Sequence, residues 1–339
     1  MIIDLRSDTV TKPSQAMMEE MMSAELGDDV FNEDPTVNKL EEYSADLFSK
    51  EAALFCPSGT MTNQIAIKVH TQPGDELICD VNSHIYNYEG GGISFNSGVQ
   101  AKLLEGMEGR LNASQIENVI NGRFDWLTRT SLVSLENTVN RAGGSYYTLE
   151  LIKPIRKLCN EKKLKLHLDG ARIFNALIET KEKPKQIGEN FDSISICLSK
   201  GLGAPVGSLL LGSKDFISNA RRVRKVFGGG MRQAGILAAA GLFALKNNIP
   251  NLKFDHANAK LIEVELKKIN FITSVLPVYT NILIFTIDEK YMTGEEFVKK
   301  LDSKNIKVVQ FGKQIIRMVT HMDFSASQLD VLSKSLRSI

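Results

Sequence analysis

Short apolar runs alternate with helical patterns between about residue 50 and residue 212 of this chain. Six of these runs have the length and composition of β-strands, and they cover residues 52–56, 76–79, 131–135, 165–168, 193–198 and 208–211. Strands that alternate with helices are typical of a mostly parallel sheet with helices on both faces. The pattern therefore predicts an α/β domain of this kind.

The pattern changes after a long run of strong helix formers at residues 231–247, which is closed by two asparagines and Pro250. The elements that follow are a helix at 252–269, a strand at 281–287, a helix at 294–304, strands at 307–310 and 315–320, and a helix at 327–337. This order predicts a compact, smaller α+β unit. We therefore expect a large domain of residues 1–248 and a small C-terminal domain of residues 249–339.

The first 45 residues have little strand signal and many polar pairs, so they favour an arm or a partner contact over a core. A net charge of +1 gives no general attraction for nucleic acid or for an anionic membrane, and the basic run 221–225 is typical of a solvated helix face. No run approaches 18 apolar residues, and the first residues lack the pattern of a signal peptide. We expect a cytoplasmic protein that binds neither nucleic acid nor membrane.

The four cysteines show no CxxC pairing and no histidine at metal-ligand spacing. This usage is typical of a reducing compartment, and it argues against a zinc site. We expect buried apolar cysteines and no metal.

Lys200 directly follows an apolar, strand-like segment and is followed at once by glycines. A lysine that ends a strand normally points into water, but Asp169 ends the strand-like run before it. Since open parallel sheets bind ligands at the carboxyl ends of their strands, both groups could face one ligand. An aspartate that can keep a pyridinium nitrogen protonated and a lysine that can form a Schiff base are the minimal pair for pyridoxal phosphate chemistry.

Ser58, Gly59 and Thr60 follow the first predicted strand of the sheet and open a helical pattern. The unpaired N–H groups and the dipole of a helix N-terminus attract an anion, although Ser58 or Thr60 could also be a plain N-cap. Together with Lys200 and Asp169, this turn favours a phosphate site. The glycine runs at 201–203 and 228–230 do not follow the strand, glycine motif and helix order of a dinucleotide fingerprint.

Two further side chains are candidates for the same site. His84 lies just beyond the strand 76–79, where an imidazole could stack on a flat cofactor or move a proton, although a lone histidine in a turn is usually structural. Arg317 lies in the strand 315–320 between apolar residues. An arginine in that position needs a carboxylate, which is either an internal acid or a substrate carboxylate held by two hydrogen bonds.

With these residues assembled, the chain resembles the low-specificity L-threonine aldolases, a part of the β-eliminating lyase group of fold type I pyridoxal phosphate enzymes. The resemblance covers nearly the whole chain. It rests on the motifs DLRSDTVT at 4–11, GDDVFNEDPT at 27–36, SLENT at 134–138, HLDGARIFN at 167–175, SICLSKGLG at 195–203 and FGGGMRQAG at 227–235.

The resemblance implies a cofactor, pyridoxal 5'-phosphate, and a place for each of its parts. Lys200 would carry it as a Schiff base, Asp169 would pair with the pyridine nitrogen, and His84 would lie against the ring. The residues implied for the phosphate are Ser58, Gly59 and Thr60. The implied reaction is the retro-aldol cleavage of L-threonine, L-allo-threonine or both to glycine and acetaldehyde.

The resemblance also implies contacts to the substrate. Ser7, Arg172 and Arg317 match positions that engage the substrate carboxylate or nearby cofactor oxygens. Lys225 and Arg232 match a basic segment that reaches the site across a subunit interface, so a homotetramer is expected.

The chain departs from the family at Trp126, where a second histidine commonly contacts the substrate hydroxyl. An indole can donate one N–H but cannot accept a proton, so the identity of the general base and the preference between the two threonines stay open. Two alternatives also stay open. One is another fold type I lyase or transaminase acting on a different amino acid, and the other is an inactive partner subunit that binds no cofactor.

Overall fold

The computed structural model of the chain describes residues 2–339. Its strands are β1 (Ile3–Asp4), β2 (Ala52–Cys56), β3 (Asp75–Asp80), β4 (Gln100–Leu104), β5 (Arg129–Glu136), β6 (Lys165–Gly170), β7 (Ser193–Cys197), β8 (Ser208–Gly212), β9 (Ile272–Val275), β10 (Ile282–Ile287), β11 (Ile306–Lys307), β12 (Val309–Gln310) and β13 (Ile315–Val319). Its α-helices are α1 (Gln15–Met22), α2 (Pro35–Leu47), α3 (Gly59–His70), α4 (His84–Asn87), α5 (Gly92–Ser97), α6 (Ala113–Glu117), α7 (Leu149–Lys162), α8 (Ile173–Thr180), α9 (Pro184–Gly188), α10 (Lys214–Val226), α11 (Gly235–Phe243), α12 (Leu252–Leu266), α13 (Gly294–Asp302) and α14 (Ala326–Arg337). Short 3-10 turns lie at Asp8–Val10, Asp29–Phe31 and Ile249–Asn251, and a π-helical turn at Ala244–Asn248 follows α11.

The central sheet has seven strands in the order β2, β8, β7, β6, β5, β3, β4. Only β8 runs antiparallel to its neighbours, and all other pairs are parallel. β8 is reversed because the loop from β7 returns directly to the adjacent position in the sheet. The carboxyl ends of the six other strands therefore meet at one edge.

All six strands predicted in this region are present, and the predicted α/β fold class is confirmed. Strand β4 was missed, because its sequence, Gln-Ala-Lys-Leu-Leu, lacks β-branched residues and it lies half-exposed at the sheet edge. The helix predicted at 231–247 begins only at Gly235. The strand predicted at 307–310 is two strands, since β11 pairs with β1 and β12 pairs with β13.

A second sheet of four antiparallel strands, in the order β12, β13, β10, β9, lies in the C-terminal part of the chain. It has its own apolar cluster, in which Phe285 and Phe297 pack edge to face. We propose that this unit is the small domain of residues 249–339. None of the helices between residues 2 and 339 combines the length and the apolar character that a membrane span needs.

The N-terminal segment does not behave as the arm that its polar pairs suggested. Ile3 and Leu5 are fully buried in the C-terminal apolar cluster, and β1 pairs in parallel with β11. Met17 and Leu40 are buried in the core of the large sheet. The expectation of an arm outside the core is wrong for these residues, because single apolar side chains between polar ones were enough to fix the segment.

Candidate active site

Charged side chains from neighbouring strands converge at the carboxyl edge of the large sheet. Asp169 is the last residue but one of β6, and His84 follows β3. Lys200 lies in the loop between β7 and β8, where Gly203 N–H donates to the Lys200 carbonyl over 2.8 Å. Gly203 has φ +79, and a Cβ there would lie 2.6 Å from Met322 Cε. Glycine adopts this backbone conformation readily and other residues rarely do, so Gly203 permits the turn after Lys200.

A cavity of about 500 Å³ opens at this edge, and Lys200, His84, Arg172, Arg317 and Ser7 line it. Its volume is in the range of small-molecule sites. Five of the side chains predicted from the sequence are thus brought together around one space. Asn140, Tyr88 and Phe311 also line it and were not predicted.

Asp169 is 2% exposed and lies beside the cavity rather than in its wall. Its Oδ1 accepts a hydrogen bond from the Ala171 N–H at 3.1 Å, and its Oδ2 accepts one from Asn63 Nδ2 at 2.9 Å. Both oxygens are therefore held by donors in a fixed orientation. A carboxylate held in this way can accept a further N–H from a ligand.

His84 donates from its Nδ1 to Glu89 Oε1 at 3.0 Å, since a carboxylate oxygen can only accept. Burial lowers the pKa of the His84 ring, but the hydrogen bond to Glu89 and the charges of Asp169 and Glu89 outweigh it and raise this pKa above its ordinary value. The His84 backbone N–H donates to Glu136 Oε2 at 2.6 Å. Burial, with the charge of Asp169, raises the pKa of Glu136 to about 7. The ring nitrogen Nε2 of His84 is left to exchange a proton.

Three side chains of types that can bind metals lie close together, namely those of His84, Glu89 and Asp169. Each offers one possible ligand atom, and these three atoms lie within 4.8 Å of one another. Asn63 Nδ2 donates to both Glu89 Oε1 and Asp169 Oδ2, each at 2.9 Å. An amide NH2 group therefore occupies the place where a cation would bridge the two carboxylates. This arrangement is a hydrogen-bonded carboxylate pair, and the absence of a metal stays a prediction.

The N-terminus of α3 provides an anion cradle beside the same edge. Ser58 is its N-cap, with its Oγ accepting from the Met61 N–H at 3.2 Å. The first N–H groups of a helix, here those of Gly59 and Thr60, have no intrahelical acceptor. A Cβ on Gly59 would lie 2.5 Å from Cys197 Sγ, so glycine lets this helix end approach the end of β7 closely. The N-cap is observed, and phosphate binding by this turn stays a prediction.

Arg172 is engaged by a residue that the sequence reasoning missed. Its Nε and Nη2 donate to the two carboxylate oxygens of Asp8 at 2.7 and 2.6 Å, and both side chains are buried. Burial raises the pKa of Asp8, but the charge of Arg172 and its hydrogen bonds outweigh this and hold that pKa far below its usual range. Two of the five N–H donors of Arg172 are thus used by Asp8, and both N–H groups of Nη1 and one of Nη2 are left. The polar motif Arg6-Ser-Asp8 was the signal in the sequence that could have pointed to Asp8. Its ion-pair partner, Arg172, lies 164 positions further along the chain.

Arg317 has no acidic partner among residues 2–339. Its Nη1 donates to Asn140 Oδ1 at 2.9 Å, its Nη2 donates to the Arg6 carbonyl at 3.0 Å, and its Nε is buried without a partner. Burial, and next the charge of Arg172, lower the pKa of Arg317 to about 10. Of the two carboxylates considered for Arg317, the internal acid is thus excluded in the described part of the chain. A ligand carboxylate is the partner that remains.

Trp126 is not brought to the cavity within one chain. It precedes β5, whereas the opposite end of that eight-residue strand carries Glu136 beside His84. At about 3.3 Å per residue, roughly 25 Å separates the two ends. Trp126 is 75% exposed and stacks on Phe124. Trp126 therefore lies away from the cavity of its own chain, and its contact with the substrate stays a prediction.

Lys225 and Arg232 are also absent from the cavity wall. Both are exposed, and Arg232 Nη1 donates to Asp28 Oδ2 at 2.9 Å. They lie near the N-terminus of α3, where Gly229 approaches Met61. Their role across a subunit interface stays a prediction.

The family model for the beta-eliminating lyases matches residues 4–290 of the chain. The chain belongs to this family. The lyase is 43% identical to the low specificity L-threonine aldolase of Escherichia coli O157:H7 over 330 residues, which are 97% of this chain and 96% of that protein. It is 42% identical to low-specificity L-threonine aldolase 1 of Arabidopsis thaliana, over 96% of this chain and 93% of that protein.

A solved structure shares the fold of the lyase over almost its whole length. The threonine aldolase of Leishmania major superposes with a TM-score of 0.85 at 21% identity, and the match covers 99% of both chains. The resemblance noted from the motifs is thus confirmed at the level of family and fold.

The cofactor of this lyase is pyridoxal phosphate, and the residues present fit it. Lys200 lines the cavity, and Asp169 offers a buried carboxylate whose oxygens are already oriented. The N-terminus of α3, with Ser58 as its N-cap, offers N–H groups that have no intrahelical acceptor. Lys200, Asp169, His84 and the turn at residues 58–60 would hold the cofactor.

Proposed function

We propose that this lyase cleaves L-threonine, L-allo-threonine or both to glycine and acetaldehyde. The observation that carries the proposal is that Lys200 and Arg317 line one cavity, and that Arg317 has no acidic partner in the described part of the chain. An α-amino acid substrate brings the carboxylate that Arg317 lacks. The identity to two low-specificity L-threonine aldolases over almost the full length supports the choice of amino acid.

The side chains divide the work of this reaction. When bound, pyridoxal phosphate supplies a ring that takes up the electrons of the breaking Cα–Cβ bond. Asp169 would accept the pyridine N–H, and Lys200 would hold the cofactor through its amine. Arg317 would fix the substrate carboxylate by charge-assisted hydrogen bonds. His84, with Nδ1 committed to Glu89, has Nε2 free to take the proton of the β-hydroxyl.

The test is aldehyde release by the purified holoenzyme, followed separately with L-threonine and L-allo-threonine. We expect acetaldehyde and glycine in equal amounts from at least one of them. A different lyase or a transaminase would not give this pair of products, and an inactive partner subunit would purify without the yellow cofactor. Failure to release aldehyde from either substrate would overturn the proposal.

Arg317→Ala is expected to lower kcat/KM by roughly tenfold or more. A charge-assisted hydrogen bond contributes about 1.5–3 kcal/mol, which corresponds to that range. Steady-state kinetics with the better of the two threonines measures it, with cofactor affinity as a check that the site is otherwise intact. Arg129→Ala is the matched control, since this arginine pairs with Asp75 at the other edge of the sheet. If Arg317→Ala only unfolds the protein, and its folded fraction keeps a normal kcat/KM, Arg317 has a structural role instead.

We also propose that the enzyme is a cytoplasmic homotetramer in which Lys225 and Arg232 reach a partner's site. Exposed apolar side chains near this segment support a covered surface, since Val226 is 77% exposed and Phe31 lies under the Arg232 guanidinium. The four cysteines are buried and free, which supports a reducing compartment. Sedimentation of the holoenzyme tests the assembly, and a monomer would contradict it.

Trp126→His is expected to change the ratio of kcat/KM for L-allo-threonine over L-threonine by roughly two- to tenfold. One neutral hydrogen bond to the substrate hydroxyl is worth about 0.5–1.5 kcal/mol. Because Trp126 lies far from the cavity of its own chain, the effect requires a loop from another subunit. If both kcat/KM values change together and their ratio stays constant, residue 126 does not distinguish the two configurations of the substrate hydroxyl.

A further inference from the structure

A line of hydrogen-bonded side chains passes from Asp169 through the interior to the opposite edge of the sheet. Asn63 and His167 lie in its middle and are fully buried, with exposed fractions of 1% and 0%. At the inner end, Asn63 Nδ2 lies 2.9 Å from both Asp169 Oδ2 and Glu89 Oε1. On its other side, Asn63 Oδ1 lies 3.1 Å from His167 Nε2. Ser193 Oγ then lies 2.8 Å from His167 Nδ1 and 2.8 Å from His70 Nε2. We call this set the Asn63 chain.

The direction of every hydrogen bond in the Asn63 chain follows from its carboxylate end. A carboxylate does not donate to an amide oxygen, so Asn63 must present its NH2 group to Asp169 and Glu89. The amide oxygen of Asn63 then faces His167 and can only accept, which places the hydrogen of His167 on Nε2. His167 Nδ1 is left as an acceptor, and the Ser193 hydroxyl donates to it.

The hydrogen bonds at the outer end of the Asn63 chain, which join Ser193 and His70, have the same direction. Because the single hydroxyl hydrogen of Ser193 is used by His167, the Ser193 oxygen accepts from His70 Nε2. His70 stacks on Phe216, which holds its ring in place. Burial lowers the pKa of His167 to about 4, so this ring is neutral around pH 7 and keeps one acceptor nitrogen. Every donor in the chain thus points toward the two carboxylates.

The two carboxylates at the inner end serve different parts of the site. Asp169 would hold the pyridine nitrogen, whereas Glu89 accepts from His84 Nδ1 and sets the orientation of that ring. Among residues 2–339, Asn63 is the one amide that binds both carboxylates, and Gln64 Nε2 adds a separate hydrogen bond to Glu89 Oε2 at 2.6 Å. A rotation of the Asn63 amide would turn its oxygen toward two carboxylates and would release both.

We propose that Asn63 is a positioning residue that fixes Asp169 and Glu89 relative to each other, and that the Nε2–H of His167 sets the orientation of its amide. The proposal rests on the proposed function, because the roles of Asp169 and His84 are assigned there. The buried histidine matters through the position of one hydrogen and not through its charge. The Asn63 chain therefore aligns the cofactor side and the proton-transfer side of the site together.

The first test uses the cofactor-free protein and no substrate. Nitrogen-15 NMR distinguishes the two neutral tautomers of a histidine. We expect His167 to be neutral with its hydrogen on Nε2 between about pH 6 and pH 8. A hydrogen on Nδ1, or a doubly protonated ring, would overturn the order of the Asn63 chain. This result does not depend on which amino acid the enzyme cleaves, so it is separable from a failure of the proposed function.

The second test compares His167→Phe with His167→Gln, since glutamine keeps an N–H near the position of Nε2 and phenylalanine does not. The readout is the dissociation constant for pyridoxal phosphate, measured from its visible absorbance without substrate. We expect it to rise tenfold or more in the phenylalanine variant and to stay within about threefold of the natural protein in the glutamine variant. In active holoenzyme, the phenylalanine variant should lose kcat more than it changes KM.

His256→Phe is the matched control, since His256 is a buried histidine bonded to Glu179 and Asn175 outside the Asn63 chain. We expect it to lower the thermal stability without a change in cofactor affinity. Equal losses of cofactor affinity in the phenylalanine and glutamine variants at position 167 would overturn the role of the N–H. An equal loss in His256→Phe would assign the effect to packing and would also overturn it. If His167→Phe does not fold, the tautomer measurement on the natural protein still decides the proposal.

Discussion

Lys200→Ala is expected to abolish the covalent attachment of pyridoxal phosphate and to lower kcat by about a thousandfold or more. Lys200 lines the cavity, and among residues 2–339 no other lysine does. Removal of a residue that forms the covalent link removes a step and not merely a contact, which is why the expected loss is so large. Reduction of the holoenzyme with borohydride, followed by peptide mapping, should place the reduced cofactor on Lys200.

Lys50→Ala is a suitable control for this prediction. Lys50 is also half-buried, but it donates to the Phe191 carbonyl at the opposite edge of the sheet. We expect the control to lose some stability and to keep both the yellow colour and the turnover. Reduced cofactor on any other lysine would remove Lys200 from its assigned place.

Asp169→Asn is expected to lower kcat by about a hundredfold or more at saturating cofactor. The substitution keeps the shape of the side chain and removes the charge that would keep the pyridine nitrogen protonated. One preorganised electrostatic group typically contributes a factor of 10² to 10³ to kcat, or about 2.7–4 kcal/mol. Kinetics at saturating pyridoxal phosphate, combined with the absorbance of the bound cofactor, measures the loss.

The same substitution is expected to cost some stability, for a reason that the structure makes specific. Both oxygens of Asp169 accept hydrogen bonds, from the Ala171 N–H and from Asn63 Nδ2. An asparagine must turn its own NH2 group toward one of these donors, and a lost buried hydrogen bond costs about 1–3 kcal/mol. Asp75→Asn is the control, since it weakens the ion pair between Asp75 and Arg129 at the other edge of the sheet and should leave kcat unchanged. A normal kcat in Asp169→Asn with bound cofactor would exclude the role of the charge.

The sequence predicts the fold and the inner part of the site well, because both depend on local patterns. Strands such as β7 are continuous apolar runs, and Lys200 and Asp169 follow directly from where such runs end. Position along the strand was enough to infer that they would meet, since parallel strands share one edge.

The residues that were missed depend on distant pairings. The role of Asp8 depends on its hydrogen bonds with Arg172. The role of Asn63 depends on its hydrogen bond to Asp169, which lies 106 positions later in the chain. Neither distance leaves a periodic signal. The place of Trp126 could not be inferred either, because a match to a family position does not say which subunit's site the residue enters.

The pairing of β1 with β11 sets an order of events during synthesis of the chain. Ile3 leaves the ribosome about 300 residues before its strand partner Ile306. The Leu5 carbonyl likewise accepts from the Val319 N–H, and Arg317 donates to the Arg6 carbonyl. At about 5–20 residues per second, the N-terminal residues wait some 15–60 seconds for these partners. The part of the cavity wall that Ser7 and Arg317 line is therefore completed only after Arg317 has been synthesised.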